Sequence, residues 1–346
     1  MKIAIDISPL SSGHRVRGVG SYVALIKDNI EKYDTKNKYI FFEGRVPDGV
    51  DIVHFPYFDP FFPILPFKNK VKTVVTVHDL TPIKFKKHFP SGIKGSLKWQ
   101  YNKLLLKKAD LIIVDSKASK KDVIDIIHVS EDKVKVVYLA SNSVYKKINV
   151  SPSRARLVME KYNIPKNFVL YVGDVTWNKN LPRIIKAAIK LDIDLVLVGK
   201  ALKEENFDRN NPWNKDRIEI ANLIKSSKKI KVLGFVPEDD LLTIYNIAQV
   251  LLMPSLYEGF GLPVLEAMSC GCPVITSKEG SLPEVGGDAV FYVDAKSEDS
   301  IADGISKILE NKSLREELSA KGLAQAGKFA KNEVMPELVK AYESIK

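Results

Sequence analysis

Two glutamates, Glu258 and Glu266, stand eight residues apart around the turn Gly259-Phe260-Gly261-Leu262-Pro263. The apolar run Val250–Met253 before them reads as a short buried strand, ended by Pro254 and Ser255. Gly259 and Gly261 let the backbone approach something bulky, and Pro263 fits the first turn of a helix. That helix carries Val264, Leu265 and Met268 towards a core, with Gly271 as its C-terminal stop. A glycine turn at a helix start aims free amides and the positive end of the dipole outward, which suits a phosphate. Were both glutamates helical, they would lie about 80° apart at ~100° per residue, so both could face one ligand. A solvated carboxylate matching the helix dipole is the simpler role for either one alone.

Other stretches have chemistry-bearing residues at element ends. Phe168–Gly173 is a buried strand that runs into Lys179, just before a helix expected from Leu181, again the layout of an anion site. Val74–Val77 ends in His78 and Asp79, where the carboxyl ends of parallel strands face a ligand crevice. Asp79 would equally serve to cap the following turn, with His78 packed beside it. His54 ends a neighbouring strand. Between the first strand and a helix expected from Ser21 lies a loop with Arg15, Arg17, Gly18 and Gly20. It lacks the third glycine and the well-placed acidic residue of a dinucleotide fingerprint. Its arginines face either a cleft or solvent.

The segment from Glu258 to Glu266, with Gly-Phe-Gly-Leu-Pro between them, resembles the donor-site motif of retaining, nucleotide-sugar-dependent glycosyltransferases of the large family 4. The resemblance extends over most of the chain, through Gly18–Gly20, His78-Asp79 and Gly173–Asn180. It implies the GT-B architecture: two Rossmann-like α/β domains facing a cleft, with a C-terminal helix crossing back to the first. By the same resemblance Glu258 holds hydroxyls of the sugar, Glu266 accepts from the ribose, and Lys179 meets the donor diphosphate. Gly173, Gly259, Phe260, Gly261 and Leu262 line the donor site, and backbone at Val236 lines the base pocket. His78 touches the sugar from the first domain, with Asp79, Gly18, Gly20, Arg15 and Arg17 on the acceptor or phosphate side. Many relatives carry an arginine where this chain has Asp174, so Lys200, Arg183, Arg15 and Arg17 are the cations available to replace it. The branch resemblance favours GDP-mannose, with UDP-sugars next, and a glycan or lipid-linked acceptor in polysaccharide or glycoconjugate synthesis. No cofactor and no metal are expected. Asp192 and Asp194 have the Asp-x-Asp spacing of metal-dependent enzymes but precede their strand instead of ending it. A nucleotide-sugar epimerase of the same fold and a non-catalytic nucleotide-sugar-binding protein remain open.

The elements that must position these residues alternate strand and helix throughout, as in parallel sheets with helical crossovers. With 346 residues there is length for two cores. The expected division is residues 1–163, 164–330 and a returning helix at 331–346, with a linker around Ser151–Pro165. Residues 1–165 hold 29 Lys and Arg against 16 Asp and Glu, a net of +13, whereas the remainder is near neutral at −2. A basic first half implies an anionic partner. No nucleic-acid-binding signature is present, so a membrane surface or lipid phosphate is the expected one. Phe55–Phe67, dense in aromatics and prolines, is either a covered loop or an apolar surface beside lysines. The helix expected over Ile93–Lys108 either covers the sheet or lies on a membrane. The charged start is too short for a signal peptide, and no apolar run approaches a membrane span. Cys270 and Cys272 support neither a disulfide framework nor a zinc site. The expected location is the cytoplasm, peripheral at the inner face of the membrane.

Overall fold

A computed structural model describes residues 1–13, 18–66, 71–204 and 206–345. The chain divides into two compact units, residues 1–142 with 329–346 and residues 143–328.

The first unit is a six-stranded parallel sheet in the order β2-β1-β3-β4-β5-β6. Its strands are β1 (Lys2–Asp6), β2 (Lys38–Phe42), β3 (Ile52–Phe55), β4 (Lys72–Val77), β5 (Leu111–Val114) and β6 (Val134–Val136). β3 and β5 are buried at every residue, as expected of strands covered on both faces. The helices are α1 (Gly18–Tyr33), α2 (Thr81–Lys84), α3 (Gly92–Lys107) and α4 (Lys117–Ile127). Gly18 and Gly20, expected in a loop, form the first turn of α1, and Gly20 is buried there. The chain enters its helix three residues before Ser21. The aromatic segment is mainly a covered loop. Phe55, Phe58 and Leu65 are buried, and Asn102 of α3 donates to the carbonyls of Pro60 and Phe62, both at 3.0 Å. Phe67 lies outside the described residues.

The second unit is also a six-stranded parallel sheet, in the order β12-β11-β10-β7-β8-β9. It opens with α5 (Pro152–Tyr162), followed by β7 (Val169–Val172), α6 (Leu181–Lys190), β8 (Leu195–Val198) and α7 (Lys215–Ser226). Then come β9 (Ile230–Gly234), α8 (Glu238–Ile247), β10 (Val250–Met253), α9 (Leu262–Ser269) and β11 (Val274–Thr276). α10 (Leu282–Gly286), β12 (Phe291–Tyr292), α11 (Glu298–Glu310) and α12 (Lys312–Gly327) complete it. Sequence reading placed α5 in a linker. Instead Arg154 and Lys161 each reach the buried carboxylate of Asp240 on α8 at 2.7 Å, and the Tyr162 hydroxyl donates to it at 2.8 Å. A charge buried with three donors fastens the helix to this unit.

The last helix, α13 (Lys331–Glu343), belongs to the first unit and packs on α1. The buried Tyr342 hydroxyl bonds His54 Nδ1 at 2.7 Å, and His54 Nε2 bonds Thr76 Oγ1 at 2.8 Å. His54 is thus a core residue that ties the C-terminal helix to β3 and β4. Burial, with a smaller push from His78, lowers its pKa to about 3. Between the ordinary value and that one, the unfolded chain takes up a proton that the folded chain refuses. Stability therefore falls as pH drops from about 6.5 towards 3, by roughly 1.4 kcal/mol per pH unit from this group. Denaturant melts of His54→Gln should show a shallower acid slope than wild type, and parallel slopes would contradict the locked neutral histidine.

Candidate active site

Each candidate in the second unit follows the carboxyl end of a strand. Lys179 follows β7, Lys200 follows β8, Val236 follows β9 and Glu258 follows β10. β7 and β10 are neighbours, and strand order reverses there, with β8 and β9 to one side and β11 and β12 to the other. Such switch points leave a crevice at the carboxyl ends of open parallel sheets.

Lys179 and Glu258 meet across this point. The Lys179 ammonium donates to both Glu258 carboxylate oxygens at 2.8 Å, and Ser255 Oγ donates to Oε1 at 2.8 Å. Glu258 is only 6% exposed. A desolvated ion pair is favourable when further hydrogen bonds complete it, as Ser255 does here. The two loops are also joined through backbone. Asn178 donates to the Tyr257 carbonyl at 3.0 Å, the Leu256 amide to the Asn178 carbonyl at 2.7 Å, and Asn180 to the Pro254 carbonyl at 2.9 Å. Sequence reading missed Asn178 and Asn180. Their signal was two asparagines around the lysine, and Asn180 takes the left-handed conformation asparagine tolerates, at φ 58°.

Ser281 Oγ donates to the carbonyls of Glu258 at 3.0 Å and Phe260 at 2.8 Å. Gly280 lies against the same backbone at φ +61°, where a Cβ would come within 2.5 Å of the Glu258 carbonyl oxygen. The turn therefore has a fixed back wall. Gly261, at φ +102°, begins α9, which buries Val264, Leu265, Ala267 and Met268. First-turn amides have no acceptor within a helix, and those of Gly261 and Leu262 meet none among the described residues.

Glu266 faces a different partner. The Tyr245 hydroxyl of α8 donates to its carboxylate at 2.9 Å. Burial raises the Glu266 pKa to about 8, against the lowering effect of that hydrogen bond. The two glutamates do not share one helix face, since Glu258 lies in the loop before α9 and only Glu266 is helical. Gly173 sits where β7 ends, and a Cβ on Gly199 would come 2.0 Å from the Gly173 carbonyl oxygen, so the strand ends meet without side chains. Val236 is buried, beside Phe235, which is 57% exposed. Asp174 turns its carboxylate onto the Val175 amide at 2.8 Å. Of the cations named to replace the arginine, Arg183 donates to Asn180 Oδ1 at 2.9 Å and Lys200 is exposed. Arg15 and Arg17 lie outside the described residues.

In the first unit, His78 follows β4 and its ring meets Asp115, just beyond β5, with Nδ1 donating to Oδ2 at 2.7 Å. Tyr22 of α1 places its ring edge-on to the imidazole at 5.1 Å. Burial opposes the imidazolium, but the Asp115 carboxylate, with smaller help from Asp79 and the Pro56 backbone, holds the His78 pKa above the ordinary value. Nε2 is buried and makes no standard hydrogen bond among the described residues, and the Pro56 backbone favours the cation. Asp115 was not singled out from sequence, because its pairing with His78 depends on β4 and β5 being neighbours. Asp79 caps the start of α2, accepting from the Thr81 amide at 2.8 Å. Among the described residues no cluster of three or more His, Cys, Asp or Glu is arranged to hold a metal ion.

The chain matches the family model described as glycosyl transferases group 1 over residues 156–325, and that of glycosyltransferase family 4 over residues 28–141. It is 32% identical over 284 residues to the O-antigen chain mannosyltransferase B of Escherichia coli, covering 79% of this chain and 70% of that one. It is 30% identical over 296 residues to the serotype-specific mannosyltransferase WbdA of Escherichia coli, covering 82% of this chain but 35% of that longer protein. The structure resembles a sucrose-phosphate synthase from Thermosynechococcus elongatus at a TM-score of 0.73 and 17% identity, over 100% of this chain and 99% of the other. That likeness concerns the fold, which is GT-B. The chain belongs to the group 1, family 4 glycosyltransferases.

Proposed function

We propose that the protein transfers mannose from GDP-mannose to a glycan or lipid-linked acceptor, with retention at the anomeric carbon and without a metal, in polysaccharide or glycoconjugate synthesis. The observation that carries this reading is the Lys179–Glu258 pair at the switch point, beside a helix start with free amides. Breaking the sugar–phosphate bond puts charge on the departing diphosphate. Lys179 and the amides of Gly261 and Leu262 stabilise it, at about 3–4 kcal/mol for a well-placed donor. Glu258 fixes the lysine before the donor arrives and then turns its carboxylate to sugar hydroxyls. Glu266 accepts from the ribose, and backbone at Val236 lines the base pocket. The choice of mannose rests on the two relatives named as mannosyltransferases.

A thermal-shift panel of nucleotide sugars tests the donor: GDP-mannose should raise the melting temperature most, and a larger shift with a UDP-sugar would overturn it. Calorimetry tests Glu266. Its carboxyl is protonated below about pH 8 in the free protein, yet must be ionised to accept from two hydroxyls. Donor binding at pH 7 should therefore release up to one proton, and affinity should rise with pH up to about 8. Glu266→Ala should weaken the donor about 10- to 100-fold and abolish the release. Unchanged affinity would remove the ribose role.

A further inference from the structure

Helix α3 wears its apolar residues on the outside. Ile93, Leu97, Tyr101 and Leu104 are 83%, 67%, 43% and 60% exposed, and Phe62, on the loop beside them, is 63% exposed. At ~100° per residue the four helical positions fall within an arc of about 80°. Lys94 and Lys98 flank that arc on one side and Lys103 and Lys107 on the other. Trp99, Asn102, Leu105 and Leu106 form the face that packs on the first unit. Of the apolar residues Ile93, Leu97, Tyr101, Leu104 and Leu105, only Leu105 is buried. The helix covers the sheet with one stripe and leaves a second stripe outward.

The second observation is charge. Residues 80–109 contain eight lysines and not one Asp or Glu. Lys94, Lys98, Lys103 and Lys107 have no acidic partner among the described residues. Lys98 instead lies over the Phe62 ring at 5.2 Å, joining the loop to the helix. Burial lowers the Lys103 pKa, and the like charges of Lys107 and Lys86 add to that.

We propose that the outward face of α3, with Phe62, docks the protein on an anionic lipid bilayer. The apolar side chains enter the interface while the flanking lysines meet acidic headgroups. An amphipathic helix with lysines bordering its apolar face lies in the interface plane by this division of labour. No helix among the described residues is long and apolar enough to cross a membrane, so the helix lies on the bilayer. A second copy of the chain is a poor occupant, because two such faces, each bordered by Lys94, Lys98, Lys103 and Lys107, would repel. A nucleic acid would leave Ile93, Leu97 and Leu104 without a role. The proposal goes beyond the transfer reading, and its test does not involve the donor site.

The test is co-sedimentation of the full chain with vesicles of phosphatidylglycerol in phosphatidylcholine and with phosphatidylcholine alone. Wild type should sediment with the anionic vesicles, less so as salt rises. Leu97→Ser/Leu104→Ser should lose binding by at least about tenfold. Lys94→Gln/Lys98→Gln should lose about fivefold per lysine and much of the salt dependence. Both variants should keep the wild-type melting temperature, since all four positions are exposed. Equal sedimentation with both vesicle types, or none with either, would overturn the proposal. So would a dimer in sedimentation equilibrium that Leu97→Ser/Leu104→Ser dissolves, because the face would then join two copies.

Discussion

Replacing Lys179 with glutamine is expected to lower kcat about 100- to 1000-fold while leaving the protein folded. In the proposed mechanism the rate loss follows from removing the charge closest to the departing diphosphate, in a site where desolvation makes each donor count for more than in water. Glutamine is preferred to alanine for a structural reason. Alanine would strand the buried Glu258 carboxylate with Ser255 as its remaining side-chain donor, and an uncompensated buried charge costs about 3–5 kcal/mol. Glutamine can still donate to Glu258, so a melt near that of wild type isolates the chemical effect. A near-normal kcat with intact folding would remove Lys179 from the reaction.

The second large effect is expected at Asp115, which we propose positions His78. Asp115 fixes the imidazole by bonding Nδ1, which leaves Nε2 on the far side of the ring, and it favours the protonated ring. In the role that the family resemblance gives His78, the ring donates from Nε2 to the sugar. Asp115→Asn should then lower kcat by about 100-fold, within the range for a displaced acid–base group. The sign in pH follows from the raised pKa of His78. The active, protonated ring is present below that pKa and lost as pH rises through it. In Asp115→Asn the alkaline limb of the pH–rate profile should move to lower pH, because the carboxylate that favoured the cation is gone. A variant that merely loosens the fold would lose activity with an unmoved limb, which would contradict the positioning role.

What the sequence made legible depends on how local the cause is. β5, β7, β8 and β10 read as unbroken apolar runs because both of their faces are covered, and so the parallel sheets were visible from pattern alone. The strand, glycine turn and helix of residues 250–269 were legible for the same reason, since Pro263 and the left-handed Gly261 act on their immediate neighbours. Pairings across the sheet were not. Lys179 with Glu258 depends on β7 lying beside β10, and His78 with Asp115 on β4 lying beside β5. No local rule states either adjacency. The short helix at 152–162 read as a linker because its flanks are polar, while its attachment is a buried carboxylate 79 residues beyond Lys161. On α3 the period of the apolar residues was visible, but two apolar stripes on one helix leave open which one the sheet covers.

The central claim is that the nucleotide diphosphate sugar lies against the Lys179–Glu258 pair. The most direct measurement is a crystal structure with the donor that shifts the melting temperature most. The expected result has diphosphate oxygens within hydrogen-bond distance of Lys179 Nζ and of the Gly261 and Leu262 amides, with Glu258 turned to sugar hydroxyls. An intact Lys179–Glu258 pair at 2.8 Å, with the diphosphate bound elsewhere, would contradict the account.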